Sequence, residues 1–147
     1  MKKYQSSRGW RNNNPLAVRQ GEQWPGLAEK QSDREYCQFV KKSYGYSAAA
    51  KVMKAYAEMF AREGIEWTVG NIVRHWVMHT DHDWEEYTRR VLELMHRKPE
   101  NQRLAPIHTQ PGVTQLTMLV AAMTCVETGC PPYAVPYGAL KKALQSL

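Results

Sequence analysis

The sequence predicts a mainly α (α+β) fold with a small N-terminal β-hairpin or meander. Three observations predict it. From Ser43 onward, apolar residues recur at helical spacing. Gly and Pro punctuate those runs where helices end. The first segment, up to Val40, is instead rich in Gly, Pro, Asn and aromatic residues, the composition of turns and short strands. The 147 residues suffice for one domain, 1–147, with a real core.

Arg8 to Arg19 reads RGWRNNNPLAVR. Asn amides compete for backbone hydrogen bonds, so an Asn run is poor inside a helix or strand and good in a fixed turn. Pro15 pushes Asn14 toward an extended conformation. Asn12–Pro15 is therefore read as a polar turn that leads into a short strand, Leu16–Arg19. The stretch GEQWPGLAEKQSDRE connects it to a second β segment, Glu35–Val40.

The helices follow. Tyr46, Ala49, Val52, Met53, Tyr56, Met59 and Phe60 keep i, i+3/i+4 spacing up to Gly64, a natural C-cap. Gly45 with Ser47 opens this run. Thr68 caps a second helix with Val69, Ile72, Val73 and Trp76 on one face. Asp81 or Asp83 caps a third, with Trp84, Tyr87, Val91, Leu94 and Met95 inward. RKPENQRLAPIHTQPG is a loop. Val113–Thr128 is the most apolar helix, closed by Gly129 and stopped by Pro131-Pro132. A last helix begins near Pro136.

The formal net charge is +6, which suits an anionic partner such as nucleic acid, a membrane surface or a bacterial wall polymer. The basic pairs at Lys41-Lys42, Arg89-Arg90 and Lys141-Lys142 are short and far apart, and no nucleic-acid module signature appears, so no nucleic-acid partner is expected. Nothing in the sequence approaches a membrane span. The start, MKKYQSSRGW, has no apolar stretch behind its basic residues, so synthesis in the cytoplasm without a signal peptide is expected. Cys37, Cys125 and Cys130 are an odd number without metal spacing. They read as reduced packing residues, in preference to a Cys125–Cys130 disulfide.

Two constellations could carry chemistry. Glu127 is the only charged residue of the Val113–Thr128 helix and lies in its last turn. The negative end of the helix dipole and the apolar surroundings both oppose ionisation, which suits a general acid. The competing reading is a solvated glutamate at a helix exit. The second constellation is His75, His79 and His82 with Asp81 and Asp83. His75 and His79 are one helical turn apart and could share a metal, although the interleaved Trp76, Val77 and Met78 and the capping role of Asp83 argue for an ordinary helix end. No metal ligand set and no cofactor is assigned. No glycine-rich phosphate loop and no serine or cysteine nucleophile motif is present.

Two pieces of sequence resemble known families. RGWRNNNPLAVR, the Trp-Pro-Gly that follows, SDREYCQFV, the YGYSAAAKVMKAYAEMF helix start and EWTVGNIVRHW resemble a family of bacteriophage and prophage proteins described as virion structural proteins. Its members open with an R-G-I-R-N-N-N-P-G-N-I-R type motif. The resemblance spans about the first ninety residues. This chain departs at Leu16, where the family has Gly, at Glu35-Tyr36, and at Trp76-Val77-Met78, where the family has W-A-P. Glu127-Thr128-Gly129 resembles the family's closing E-N-G. More loosely, NNNPLAV resembles the N-N-x-F-G-I-K turn of cell-wall β-N-acetylglucosaminidases, whose catalytic glutamate ends a helix in E-[ST]-G before that turn.

That order is reversed here, so the resemblance implies a circularly permuted, lysozyme-like helical domain. It implies a phage or prophage protein that binds peptidoglycan glycan strands and cleaves them as a lysozyme or lytic transglycosylase. Glu127 would be the general acid, with Asp33 or Glu35 as base or as stabiliser of an oxocarbenium-like state. Asn12, Asn13 and Asn14 would contact N-acetyl and hydroxyl groups, and Trp10 and Trp24 would stack on sugar faces. The alternative from another class is a non-catalytic virion structural protein that retains the fold and contacts other virion proteins. A histidine-dependent metal-binding domain is the third reading. Location follows: virion-associated, or released to the cell wall by a route without a signal.

Overall fold

The computed structural model describes residues 1–147 and is mainly helical. Its six α-helices are α1 (Arg8–Arg11), α2 (Lys42–Glu63), α3 (Val69–Val77), α4 (Trp84–Leu94), α5 (Gln110–Thr128) and α6 (Tyr137–Gln145). Short 3₁₀ turns at Lys3–Ser6 and Pro132–Ala134 precede α1 and α6. Local chemistry sets most of the boundaries. The Thr68 hydroxyl accepts the Asn71 N–H at the start of α3, and Asp83 accepts the N–H groups of Glu85 and Glu86 at the start of α4. Gly64 closes α2 and Gly129 closes α5, each in the left-handed conformation. α5 begins ahead of Val113 because Thr109 accepts the Gly112 N–H and Pro111 fits the first turn. No helix is long and apolar enough to cross a membrane.

α5 packs against α4, α6 and α1, while α2 packs against α6 and α3 against α4. Such a central position needs a charge-free surface, and each of the three buried threonines of α5 satisfies its hydroxyl proton on a carbonyl of its own helix. Thr117, Thr124 and Thr128 donate to the carbonyls of Val113, Val120 and Thr124 at 2.7, 2.9 and 2.8 Å. The Tyr46 and Thr124 hydroxyls, 3.0 Å apart, tie α2 to α5 inside the core. Around them a single cluster of 30 buried residues extends from Leu16 and Val18 to Leu140 and Leu144.

The N-terminal β element is smaller than the sequence pattern predicts. Its pairing consists of isolated antiparallel bridges, Arg19 with Tyr36 and Leu27 with Phe39. Segment 35–40 lies between the other two. Cys37 N–H donates to the Val18 carbonyl and Gln20 N–H to that of Glu35 on one side; Ala28 N–H donates to Gln38 and Val40 N–H to Gly26 on the other. The predicted strand Leu16–Arg19 does not form as a unit, because Ala17 takes a left-handed φ of 57° and interrupts it.

The turn before it is built as the asparagines suggest. Asn14 is buried, and its amide donates to the carbonyls of Val18 and Cys37 while its oxygen accepts the Val18 N–H, all at 2.9 Å. Asn13, at φ 52°, donates to the Phe39 carbonyl. The turn lies directly on α2 at Gly45, where a Cβ would collide with the Asn13 carbonyl oxygen. Gly45 is thus inside α2, whose N-cap is Lys41, and its role is close approach rather than helix opening.

Of the two tryptophans read as inward-facing, Trp76 packs against the core cluster and Trp84 does not. Trp84 is exposed at the first position of α4, with the Arg74 guanidinium 5.2 Å from its ring centroid. Trp76 is half-buried, and its Nε1–H donates to the Leu16 carbonyl at 2.9 Å. Along α4 the buried face is Tyr87, Thr88, Val91 and Leu92, with Met95 just beyond; Leu94 is exposed. The polar Thr88 is accommodated on that face by donating its hydroxyl to the Trp84 carbonyl at 2.7 Å.

Removing the Asn14 side chain leaves the Cys37 carbonyl and the Val18 N–H without their partner, while the Val18 carbonyl keeps the Cys37 N–H. Asn14→Ala is therefore expected to lower unfolding free energy by about 3 kcal/mol or more. Gly45→Ala should cost about 1–3 kcal/mol by overpacking. Trp84→Ala should cost less than about 1 kcal/mol. Urea denaturation of the three variants against the wild type checks this order.

Candidate functional site

The centre of the site is the last turn of α5. The helix carries Glu127 out of the core just before Gly129 ends it, so the side chain stays mostly covered, with 13% exposure. Tyr87 of α4, itself buried, donates its hydroxyl to Glu127 Oε1 at 3.0 Å. His82 Nε2 lies 3.9 Å from the same oxygen. Oε2 has no hydrogen-bond partner in the protein. Burial pushes the Glu127 carboxyl above its ordinary value, against the opposing pulls of His82 and the Tyr87 hydroxyl. Burial and the neighbouring Glu127 charge push the Tyr87 phenol well up, so it remains a donor.

Glu127 faces two connected hollows. The larger is a cleft of about 430 Å³ between the 17–22 segment and helices α2 and α3; Trp24, Tyr36, Tyr56, Trp76, His79 and His82 line it with Glu127. The smaller, about 120 Å³, is lined by Asn12, Asn14, Pro15 and Tyr36, again with Glu127. The asparagine turn and the Glu127-Thr128-Gly129 turn, far apart in sequence, therefore meet in space. An aromatic-walled cleft with one largely covered carboxyl can hold a neutral ligand by its flat faces and offer it a proton.

The other residues singled out from the sequence lie as follows. Trp24 lines the larger cleft, with its buried Nε1–H unpartnered. Trp10 lies outside the cleft lining; it packs edge-on against Tyr4 at 4.9 Å, with Lys42 Nζ 4.2 Å from its ring centroid. The amides of all three asparagines are engaged within the protein. Asn12 donates to Asp33 and accepts from Gln38, Asn13 donates to Phe39 and accepts from Lys42, and Asn14 bridges Val18 and Cys37.

Asp33 and Glu35 are absent from both hollows around Glu127. Asp33 receives two hydrogen bonds of 2.6 Å from the Arg8 guanidinium, and the backbone N–H groups of Glu35 and Tyr36 as well. The Arg8 guanidinium holds the Asp33 carboxyl well below the usual carboxylate range. Glu35 takes a third bond from Arg8, at 3.0 Å.

No group of three or more His, Cys, Asp or Glu side chains is arranged to hold an ion. His75 Nδ1 lies 3.1 Å from the Asn71 carbonyl oxygen, and its ring packs on Phe60 at 4.8 Å. The partners that matter, Tyr87 and His82, escaped the sequence reading as a pair. Tyr87 was legible only as an inward apolar residue; its hydroxyl is the signal, because a buried tyrosine needs an acceptor. The acceptor comes from another helix, which spacing along α4 cannot show.

Among known proteins, the chain is 31% identical over 145 residues to Protein P5 of Pseudoalteromonas phage PM2, with 96% of this chain and 82% of that protein covered. No protein-family model matches the chain.

The two carboxylates make opposite contributions to stability versus pH. Glu127, with its raised value, supports the fold fully below the ordinary carboxylate range and loses that support as pH rises through the raised value. Glu127→Gln should therefore raise Tm relative to wild type at neutral pH, with the gain shrinking toward pH ~4. Asp33, with its depressed value, contributes above the ordinary range and loses its contribution as pH falls through the lowered value. Asp33→Asn should lower Tm at neutral pH, with the deficit shrinking in acid. Thermal melts of both variants across that range check the two signs.

Proposed function

This chain belongs to the family of Protein P5 of Pseudoalteromonas phage PM2, and from that premise we propose a phage or prophage protein that binds peptidoglycan and cleaves its glycan strand. The observation that carries the proposal is the Glu127 carboxyl, mostly covered and pushed up by burial, at the meeting point of an aromatic cleft and the asparagine turn. In this reading residues 1–147 form one lysozyme-like domain, circularly permuted so that the acid-bearing helix follows the asparagine turn.

Tyr87 fixes Oε1, which leaves Oε2 to carry the proton toward a glycosidic oxygen in the cleft. Trp24 and Trp76 offer flat faces for sugar rings. Asp33 and Glu35, bound up with Arg8, hold the N-terminal segments together and stand aside from the chemistry. A single-acid course of the lytic transglycosylase type suits this arrangement. Glu127 protonates the leaving oxygen and then, as carboxylate, accepts the proton of the substrate hydroxyl that closes on the anomeric carbon. The asparagines act by shape, as the wall of the smaller hollow, because their amides are already used. The protein would act virion-associated or at the cell wall, beside other virion proteins.

The second reading is a non-catalytic virion protein with the same fold. The full occupation of the Asn12, Asn13 and Asn14 amides by protein partners favours it. Turbidity clearing of purified peptidoglycan separates the two. Wild type should clear it, Glu127→Gln should fall by about 10²-fold or more with its fold retained, and Tyr87→Phe should fall less. Mass spectrometry of the products should find anhydro ends. Absence of clearing by wild type on walls of several types gives the case to the structural protein.

A further inference from the structure

The cap that ends α5 brings two thiols together around Glu127. Gly129 N–H donates to the Cys125 carbonyl at 2.9 Å, with Gly129 at φ 77°. In this helix ending, the residue four before the glycine and the residue after it come into side-chain contact. Here those residues are Cys125 and Cys130, and their sulfur atoms are 4.0 Å apart. A hydrophobic pair would meet the needs of the cap equally well. Two cysteines add chemistry, because closing the gap to a bonded distance needs a sulfur movement of only about 2 Å.

We infer that Cys125 and Cys130 form an oxidisable dithiol whose disulfide locks the turn carrying Glu127. The loop it would close contains only Val126, Glu127, Thr128 and Gly129. The oxidant is a small-molecule disulfide such as oxidised glutathione. One protein thiolate attacks a sulfur of that disulfide and releases one glutathione thiolate. The second protein thiolate attacks the mixed disulfide, forms the Cys125–Cys130 bond and releases the other. Two electrons pass from the protein to glutathione disulfide, and the two thiol protons pass to solvent or to the glutathione thiolates. Both cysteines are buried, and Cys125 borders a small surface hollow of about 40 Å³ beside Leu94, Met118 and Tyr137. Contact between the two sulfurs pushes the Cys125 thiol up and pulls the Cys130 thiol down. The third thiol, Cys37, is buried in the N-terminal element with its S–H directed at the Arg19 carbonyl.

The functional meaning rests on the proposed wall-cleaving role: reducing conditions prevail during synthesis and oxidising ones at the cell envelope, so the lock would set as the protein meets its substrate. The chemical claim is tested independently. The folded wild type is incubated with oxidised glutathione at mildly alkaline pH, then alkylated and analysed by intact mass and non-reducing peptide mapping. The expected result is a chain two hydrogens lighter before alkylation, which takes up one alkyl group on unfolding where the reduced chain takes up three, with Cys125 and Cys130 joined and Cys37 alkylated. Amide exchange at residues 126–130 should slow, and dithiothreitol should reverse both changes. Cys125→Ser and Cys130→Ser should each abolish the mass change, and Cys37→Ser should retain it. Stable glutathione adducts, bonds to Cys37, or oxidation only above the unfolding transition would overturn the inference. Clearing assays on oxidised and reduced protein then read the effect on Glu127. If the wild type clears nothing, the wall-cleaving role fails while the mass result still decides the dithiol.

Discussion

The Asn14 side chain is the interaction on which the arrangement of this protein depends. It is buried, yet its amide reaches two separate stretches of chain, Val18 and Cys37, and its oxygen returns to Val18. Regular strand pairing is sparse in the N-terminal segments, and side-chain amides, that of Asn14 with those of Gln20 and Gln31, supplement a few backbone bonds. A buried amide of this kind is costly if any partner is lost, so it specifies one geometry strongly. Gly45 allows that geometry to rest on α2, and Trp76 adds a hydrogen bond from α3 to Leu16. The polar knot thus fixes the 17–22 segment opposite the helices and so makes the cleft.

Within the cleft region, two carboxylates of the same chain are driven in opposite directions by their surroundings. Asp33 sits against a guanidinium and several N–H donors, which stabilise its charge. Glu127 sits at the negative end of a buried helix, with one phenol and a distant imidazole for company. Divergent environments of this kind separate carboxylates that brace a fold from carboxylates that can give up a proton. The Arg8–Asp33–Glu35 cluster braces the N-terminal segments, whereas the Glu127–Tyr87 pair joins α5 to α4 and faces open space.

The cleft and the α5 cap are also mechanically connected. The residue that offers the carboxyl lies between a core helix and a left-handed glycine, so its position depends on how firmly the helix ending is held. Thr128 contributes from both sides, donating to the Thr124 carbonyl and accepting the Cys130 N–H. The Tyr87–Glu127 hydrogen bond, at 3.0 Å, spans from this ending to another helix.

The sequence by itself determined the helices, since their signals are local. Thr68, Asp83, Gly64 and Gly129 act on backbone groups within one turn, and apolar periodicity marks which stretches can cover a core. It also pointed to Glu127, because a lone carboxyl in the last turn of a charge-free helix is visible in one dimension. It could not determine what the asparagines touch, or that Asp33 and Glu35 pair with Arg8, or that Trp84 is exposed while Tyr87 meets Glu127. The predicted strand at Leu16–Arg19 failed for the same reason: the left-handed Ala17 is imposed by the Asn14 knot and not by alanine's own preference. Tertiary structure decided these points because a side-chain amide, a guanidinium or a phenol is satisfied by whichever distant group the packing brings within about 3 Å, and no spacing along the chain encodes that choice.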